Sequence, residues 1–255
     1  MSHHIVEAAG LEYAYPDGTP ALRGISFRIG HGESVGVVGG NGAGKSTLLW
    51  HLNACLFPAK GAVRIGEVPV SRSTAPEIRR HVGTIFQDAD DQLFMPTVGE
   101  DVAFGPRNMR LPQDEVESRV RRALEAVNAS HLSARPPHHL SGGEKRAAAI
   151  ASVLAMSPDI LAMDEPTSGL DPRGRRALIE ILKGFAHTKI IASHDLEMIL
   201  ELCPRTLLLH EGRLVADGAT RDILSDAAKM EAHGLEVPLS IRYGSLKSNV
   251  QGPKS

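Results

Sequence analysis

The stretch that decides the fold is Gly39-Gly40-Asn41-Gly42-Ala43-Gly44-Lys45-Ser46-Thr47, which matches the pattern G-x-x-x-x-G-K-[ST]. Glycines let backbone N–H groups close around phosphate oxygens without a Cβ in the way. In such a loop Lys45 brings a positive charge to the β- and γ-phosphates, and the Ser46 hydroxyl can ligate Mg²⁺. The pattern therefore predicts a nucleotide site, in which the phosphates contact Gly39, Asn41, Gly42, Ala43, Gly44, Lys45, Ser46 and Thr47.

The segments on either side of this loop have the pattern of a strand followed by a helix. Residues 34–38 form a short apolar run, which predicts a buried strand, and residues 47–56 are predicted to be helical. The positive end of that helix dipole would face the same anion as the loop. A strand, a glycine-rich loop and a helix in this order support a phosphate-binding function.

The composition limits the classes of partner. The 255 residues carry a formal net charge of −2, which argues against binding nucleic acid or anionic lipid through bulk electrostatics. No apolar run approaches the roughly 20 residues that span a bilayer, and the polar N-terminus does not resemble a secretory signal. We therefore expect a cytoplasmic chain, which would act at a membrane only as a peripheral subunit. Cys55 and Cys203 are predicted to be small buried residues in a reducing compartment.

The order of predicted elements indicates an α/β fold with an insertion. The first third is rich in strands, residues 98–156 are helical, and strands alternate with helices again after Pro158. We expect a mostly parallel core sheet, an N-terminal antiparallel β layer and an inserted α-helical subdomain. Residues 1–225 would form this domain and 226–255 a short extension, in which the polar residues 244–255 are predicted to be disordered.

Two helices of the insertion have recognisable ends. Pro112 and the acids after it open a charged helix that Pro136-Pro137 would break off. Ser141 would cap an alanine-rich helix, with Glu144 three residues later as in a capping box. The N-terminus of that second helix is a second candidate anion site.

An acidic pair follows the buried strand predicted at residues 160–163. A phosphate loop needs a metal-holding acid from a neighbouring strand, and Asp164 stands at the C-terminal end of this strand, where open α/β sheets bind ligands. Asp164 is predicted to hold Mg²⁺, directly or through water, and Glu165 to polarise an attacking water.

The segment Leu140-Ser141-Gly142-Gly143-Glu144-Lys145-Arg146 resembles the signature of the ATP-binding-cassette (ABC) ATPases. The family's other motifs accompany it in order, namely the phosphate loop, a glutamine loop at Gln87, the signature, the acidic strand, a D-loop at Ser168-Gly169-Leu170-Asp171, and a switch histidine at His194. The resemblance covers roughly residues 4–225. It implies a P-loop NTPase of ABC type that binds ATP and Mg²⁺ and hydrolyses ATP.

The resemblance also implies a head-to-tail dimer with two shared ATP sites. Ser141, Gly142 and Gly143 of one chain would close on the γ-phosphate that Lys45 of the other chain holds. Two ATP molecules would then be buried in one symmetric interface, and hydrolysis would release it.

Roles for the remaining site residues follow from the same resemblance. The catalytic residues would be Glu165, His194 and Gln87, and the Mg²⁺ ligands Ser46, Gln87 and Asp164. Tyr15 would stack on adenine, with Tyr13 as the alternative; Tyr15 is favoured because it directly precedes the Pro16-Asp17-Gly18 turn.

A second region resembles a particular class of transporter. Phe86-Gln87-Asp88-Ala89-Asp90-Asp91-Gln92-Leu93-Phe94, with Val98-Gly99-Glu100-Asp101-Val102-Ala103-Phe104-Gly105-Pro106, is similar to the ATPases of energy-coupling-factor importers. His51-Leu52-Asn53, Leu154-Ala155-Met156-Ser157-Pro158 and His233-Gly234-Leu235 resemble the cobalt/nickel branch, although Ala54 stands where that branch has glycine. The resemblance implies a groove for membrane-subunit helices, which Leu93, Phe94 and Met95 would contact unless they belong to the core.

These resemblances define the expected partners and the alternatives. The partners would be a second ATPase subunit, a transmembrane coupling subunit and a substrate-binding membrane subunit, at the cytoplasmic face of the cell membrane. A homodimer is expected in the cobalt/nickel branch, and a paralogue as second ATPase stays open. The alternatives are an ATPase for vitamin or other transport, and a soluble ABC ATPase that acts as a mechanical switch on a macromolecule. Residues after 225, among them Leu235, Val237, Pro238 and Leu239, would either add a dimer contact or pack locally.

Overall fold

Within residues 4–248, the part of the chain that the computed structural model describes, strands and helices follow the predicted order. The strands are β1 (His4–Ala14), β2 (Pro20–Gly30), β3 (Ser34–Val38), β4 (Lys60–Ile65), β5 (Val68–Pro69), β6 (Val82–Ile85), β7 (Ile160–Asp164), β8 (Thr188–Ala192), β9 (Arg205–His210) and β10 (Arg213–Ala219). The helices are α1 (Lys45–Leu52), α2 (Ala75–His81), α3 (Val98–Asn108), α4 (Gln113–Ala126), α5 (Gly142–Leu154), α6 (Pro172–Gly184), α7 (Leu196–Leu202), α8 (Thr220–Ser225), α9 (Ala227–Ala232) and α10 (Leu239–Ser248). Short 3₁₀ turns at Ser130–Leu132 and Pro137–His139 join α4 to α5.

The strands form two sheets, as the sequence predicts. The N-terminal layer is antiparallel in the order β2-β1-β4-β5. The core sheet has the order β10-β9-β3-β8-β7-β6, in which β10 alone pairs antiparallel to its neighbour. Parallel strands need both faces covered, and the strand β7 shows how this is done. Its Ile160 and Ala162 pack with α1 and the antiparallel layer, while Leu161 and Met163 pack with helices on the other face.

The inserted helices α3, α4 and α5 pack on one another and form the predicted helical subdomain. The capping box at Ser141 is present, since Glu144 N–H donates to the Ser141 hydroxyl and Ser141 N–H donates to the Glu144 carboxylate. The predicted end of the charged helix at Pro136 is wrong, because α4 already ends at Ala126. Asn128 lies two residues after Ala126 and adopts a left-handed backbone with φ of 57°, through which an α-helix cannot continue.

The first helix after the phosphate loop is shorter than predicted. It begins at Lys45 and ends at Leu52, because Ala54 has a left-handed φ of 58°. The turn that follows leaves Cys55 exposed, so the prediction that both cysteines are buried is wrong for Cys55 and confirmed for Cys203.

The C-terminal extension folds back onto the core. Leu235, Val237 and Ile241 pack against the helical face of the core sheet, whereas Leu239 is exposed. Residues 244–248 belong to α10; the rest of the segment predicted to be disordered, 249–255, lies outside the described residues. None of the helices between residues 4 and 248 combines the length and apolar character that a bilayer crossing needs.

Candidate active site

Neighbouring strands of the parallel sheet end at one edge and place the predicted residues there. The phosphate loop leaves β3 after Val38, Asp164 ends β7, and His194 lies two residues beyond the end of β8. Ala192 of β8 is level with Val37 on one side and with Asp164 on the other. This is the edge at which open α/β sheets bind ligands.

A cavity of 590 Å³ opens at this edge. The predicted residues that line it are Tyr15, Asn41, Gly42, Ala43, Gly44, Lys45, Ser46, Thr47, Gln87, Asp164, Glu165 and His194. Thr19, Pro20 and Ala21 complete the lining, and the sequence analysis did not single them out. The fold thus brings together residues that lie up to 179 positions apart in the chain, from Tyr15 to His194.

The phosphate loop is held in a shape that only glycine permits at Gly44. Its φ is 101°, and a Cβ there would lie 2.8 Å from the Ala21 carbonyl oxygen. Lys45 is buried, and its Nζ donates to the carbonyl oxygens of Gly39 (2.8 Å) and Gly40 (3.1 Å). Gly39 therefore contacts the lysine without lining the cavity. No side chain of the described residues caps the first turn of α1, whose N–H groups stay available to an anion.

The carboxyl group of Asp164 is buried and incompletely paired. The residue is 6% exposed, and no described residue donates a hydrogen bond to its Oδ1. Burial raises the pKa of this carboxyl and the nearby Glu165 charge adds to the rise, while the Ser46 hydroxyl and Lys45 oppose it. A buried oxygen without a partner, beside a hydroxyl, is the kind of donor set that binds a hard cation such as Mg²⁺.

The carboxylate of Glu165 is oriented by the residues that follow β8. The Ser193 hydroxyl donates to Oε2 at 2.8 Å, and the His194 N–H donates to both carboxylate oxygens at 3.1 Å. The His194 ring reaches the same carboxylate, with Nδ1 2.9 Å from Oε2, although its side chain is 70% exposed. Glu165 also has a left-handed φ of 45°, a strained value for a non-glycine residue that often marks a functional position.

Tyr15 and Tyr13 occupy different environments. The Tyr15 hydroxyl lies 2.8 Å from Thr47 Oγ1, and its ring lines the cavity. Tyr13 packs behind it, edge-on against Tyr15 and against His51. This placement supports Tyr15 as the aromatic residue that contacts the nucleobase.

The signature residues lie apart from this cavity. Ser141, Gly142 and Gly143, all within the described chain, are absent from its lining, and Gly142 instead lines a neighbouring cavity of 840 Å³. Glu144 partly satisfies the N-terminus of α5, since its carboxylate accepts from both the Ser141 N–H and hydroxyl at 2.8 Å. These hydrogen bonds lower the pKa of Glu144. The 840 Å³ cavity adjoins the first one, since Ser46, Gln87 and Asp164 line both, but the signature residues do not line the cavity that holds the phosphate loop.

The sequence analysis gave no role to two further residues of the site. Ser193 orients Glu165, and its position beside the switch histidine at the end of a strand could have indicated this. Arg146 is 4% exposed, and its guanidinium donates to the carbonyl oxygens of Phe86 and Gln87, each at 2.6 Å. It thereby ties the signature helix to the glutamine loop, a contact between segments that are distant in sequence.

Comparison with known proteins identifies relatives of the whole chain. The sequence profile of the ABC transporter family matches residues 22–168. A Geobacter sulfurreducens protein named as an ABC transporter ATP-binding protein is 63% identical over 242 residues, 95% of this chain and 97% of that protein. The energy-coupling factor transporter ATP-binding protein EcfA of Methanothermobacter thermautotrophicus is 51% identical over 239 residues, 92% of this chain and 77% of that protein.

Solved structures share the fold. Clostridium perfringens cbiO1, described as part of the ABC transporter complex cbiONQ, superposes with a TM-score of 0.81 at 38% identity, over 97% of this chain and 100% of that one. The ATP-binding cassette MJ0796, dimeric in a post-hydrolysis state with ADP and phosphate, gives a TM-score of 0.76 at 26% identity, over 85% of this chain and 99% of that one.

Proposed function

The chain belongs to the family of ABC transporter ATP-binding proteins, and we propose that it is the ATPase of an energy-coupling-factor importer for cobalt or nickel ions. As a member of that family it is an ATP-binding and ATP-hydrolysing transporter subunit. The energy-coupling-factor assignment is supported by the 51% identity to EcfA and by the likeness to cbiO1. The choice of cobalt or nickel rests on the sequence resemblance of residues 51–53, 154–158 and 233–235 alone.

The observation that carries the proposal is the separation of two anion-binding ends. The phosphate loop, Glu165 and His194 line one cavity, and Gly142 of the signature lines only the adjoining one, which shares Ser46, Gln87 and Asp164 with the first. A chain that cannot close its own site needs a second chain to do so. The dimeric state of the MJ0796 cassette with ADP and phosphate supports a head-to-tail dimer, in which each signature closes the partner's site.

The residues around Asp164 fit Mg²⁺, which we include in the proposal. The unpartnered Asp164 Oδ1, the Ser46 hydroxyl and the Gln87 side chain would hold the ion. An ion bound there would supply positive charge to the phosphates during hydrolysis. Lys45 would exchange its bonds to Gly39 and Gly40 for phosphate oxygens.

Glu165 is the proposed base for the attacking water. Its carboxylate is fixed by Ser193 and by the His194 N–H, so it needs little reorganisation before it accepts a hydrogen bond from water. On ATP binding, the exposed ring of His194 would move away from Glu165, and the ring would then contact the γ-phosphate and the water. In this proposal the chain that binds the phosphates also provides the catalytic residues, and the signature residues of the second chain close the ATP site.

The proposed contact with the membrane subunits is an exposed apolar patch beside the glutamine loop. Phe94 is 63% exposed and Phe104 is 41% exposed, with ring centroids 4.9 Å apart. Leu93 is buried in the core and Met95 is half-buried, so Phe94 is the residue of this segment that offers the largest apolar surface. The buried Asp101 accepts hydrogen bonds from the N–H groups of Phe94 and Met95 at 3.0 Å and holds the segment in place.

Arg146 would transmit closure of the ATP site to this patch. It joins the helix that begins at the signature to the backbone of Gln87, seven residues before Phe94. Lys145 adds an ion pair to Asp90 at 2.6 Å in the same segment. Movement of the signature on dimer closure would therefore shift the glutamine loop and the exposed phenylalanine with it. We propose that the protein acts at the cytoplasmic face of the cell membrane as a peripheral subunit.

The experiment that tests this function compares two exposed apolar residues in co-expression. Wild type, Phe94→Ser and Val215→Ser are each produced with the candidate transmembrane and substrate-binding subunits. Val215, 38% exposed on β10, is the matched control. The wild type and Val215→Ser should co-purify with membrane subunits and support uptake of radioactive Co²⁺ or Ni²⁺, and Phe94→Ser should lose both. A wild-type protein that stays soluble with every candidate subunit would contradict the importer and favour the mechanical switch. Uptake of a vitamin without Co²⁺ or Ni²⁺ uptake would overturn the choice of ion.

A further inference from the structure

Four residues form a closed circuit at the wall of the nucleotide cavity. The Tyr15 hydroxyl lies 2.8 Å from Thr47 Oγ1, and the Thr47 carbonyl oxygen lies 2.7 Å from His51 Nδ1. The ring of His51 contacts Tyr13 edge-on at 4.8 Å, and Tyr13 contacts Tyr15 edge-on at 5.3 Å between ring centroids. The circuit therefore returns to Tyr15 through two hydrogen bonds and two ring contacts.

His51 is the buried member on which the circuit depends. It is fully buried, and a carbonyl oxygen can only accept, so Nδ1 carries the hydrogen that is donated to Thr47. No described residue forms a hydrogen bond with its Nε2. Burial lowers the pKa of the ring, which favours the neutral form. The His51 ring contacts the Thr47 carbonyl oxygen and the ring of Tyr13, and the backbone of Phe57 also lies beside it. None of these neighbours takes part in the chemistry at Glu165.

The circuit joins the two halves of a nucleotide site. Thr47 lies in the first turn of α1, immediately after the Lys45 and Ser46 that would contact the phosphates. Tyr15 lies on the loop between β1 and β2 and lines the same cavity, where its ring would meet the base. Without a tether, an aromatic residue on a loop would lose rotamer freedom on binding, which weakens affinity. With the tether, the ring is held relative to the phosphate loop before nucleotide arrives.

We propose that His51 is a positioning residue for nucleobase binding, which acts through Tyr13 and Thr47 to hold the ring of Tyr15 at a fixed place relative to the phosphate loop. The inference rests on the proposed role of Tyr15 at the base and goes beyond it. The circuit should strengthen the binding of ligands that carry both a base and a phosphate chain. It should leave binding of a bare phosphate chain unaffected.

The test compares the affinities of ADP and pyrophosphate, each with Mg²⁺, by calorimetry on the purified full chain. ADP avoids turnover, and the ratio of the two affinities isolates the part of binding that involves the nucleoside. The variants are Tyr15→Phe, which loses the hydroxyl and keeps the ring, and His51→Leu, which fills the apolar site without the donor or the ring. His51→Leu removes the ring from the Thr47 carbonyl oxygen and from the Phe57 backbone. Leu52→Val, at a fully buried neighbour on α1 outside the circuit, is the control for general loosening of the helix.

The ratio should fall about two- to tenfold in Tyr15→Phe and in His51→Leu, the net effect of losing one hydrogen bond, while pyrophosphate affinity stays constant. The double variant should lose less than the product of the two effects, because both break the same circuit. Leu52→Val should keep the wild-type ratio. An unchanged ratio in His51→Leu, or equal losses of ADP and pyrophosphate affinity, would overturn the inference. If Tyr15→Ala lowers the ratio in that case, the proposed role of Tyr15 survives alone; an unchanged ratio in Tyr15→Ala would remove both.

Discussion

Replacing Asp164 by Asn should stabilise the nucleotide-free protein and abolish its stabilisation by nucleotide with Mg²⁺. Asp164 is 6% exposed and no described residue donates to its Oδ1, so ionisation of this carboxyl places an incompletely paired charge inside the fold. Asparagine keeps the shape of the side chain and removes the charge. The same change removes a proposed metal ligand, so stability and function should move in opposite directions.

The magnitude follows from the environment of the carboxyl group. Relief of the buried charge, less the partial cost of an amide in the same place, should raise the free energy of unfolding by about 1 kcal/mol. For a chain of this size that corresponds to an increase in Tm of about 2–4 °C. Wild type at a nucleotide concentration of about 100 times Kd should gain about 2.7 kcal/mol, and the variant should gain much less.

The pH dependence of the stability difference is an independent check that Asp164→Asn stabilises the nucleotide-free protein. Burial raises the pKa of the Asp164 carboxyl above its ordinary value of 3.8, so the folded protein binds this proton more tightly than the unfolded chain. The stabilising contribution of the protonated group is present at low pH and is lost as pH rises through the folded-state pKa. The advantage of Asp164→Asn should therefore be largest near neutral pH and shrink as pH falls toward the ordinary carboxyl value.

Thermal unfolding followed by fluorescence measures both effects, without nucleotide and with ADP and Mg²⁺. A variant that is less stable than wild type without nucleotide would refute the account of Asp164 as an incompletely paired buried charge. A variant that gains as much stability as wild type from ADP with Mg²⁺ would remove Asp164 from the proposed metal ligands.

Three further predictions concern single side chains. Glu165→Gln should keep ATP binding and lose about 10²–10⁴ in turnover, because the amide cannot act as a base; hydrolysis at the wild-type rate would exclude Glu165 from that role. Lys45→Ala should lower ATP affinity by at least about tenfold in calorimetry, since a charge-assisted contact to phosphate contributes about 1.5–3 kcal/mol, and unchanged affinity would contradict the assignment. A thiol reagent at pH 8 should modify the exposed Cys55 and spare Cys203, where burial raises the pKa to about 12, until the protein unfolds; mass spectrometry that finds Cys203 modified in the folded protein would show that the core opens.

Sequence patterns predicted the elements that are determined by residues close together in the chain. The apolar run at residues 34–38 is a buried parallel strand with the predicted bounds. Ser141 and Glu144 form the predicted capping box, because both partners lie within one helical turn.

The sequence pattern did not predict features that depend on contacts between distant segments. Leu93 and Phe94 are adjacent apolar residues, and only the packing of α3 and α5 decides that the first is buried and the second exposed. The hydrogen bond from Ser193 to Glu165 requires the register of β7 against β8. The end of α4 at Ala126 is different, because Asn128 is a residue type that often takes the left-handed backbone after a helix, and the sequence analysis overlooked this local signal.

The central claim is that the ATP site is shared between two chains, and complementation of two inactive variants tests it most directly. Lys45→Ala cannot hold the phosphates, and Ser141→Arg cannot close the partner's site, so each variant alone should lack ATPase activity. In a mixed dimer, the intact Lys45 of one chain faces the intact Ser141 of the other, which restores one site. A 1:1 mixture should therefore recover activity, at most about a quarter of the wild-type rate after statistical mixing. A mixture that stays inactive although mixed dimers form, or a Ser141→Arg protein that is fully active alone, would contradict the shared site.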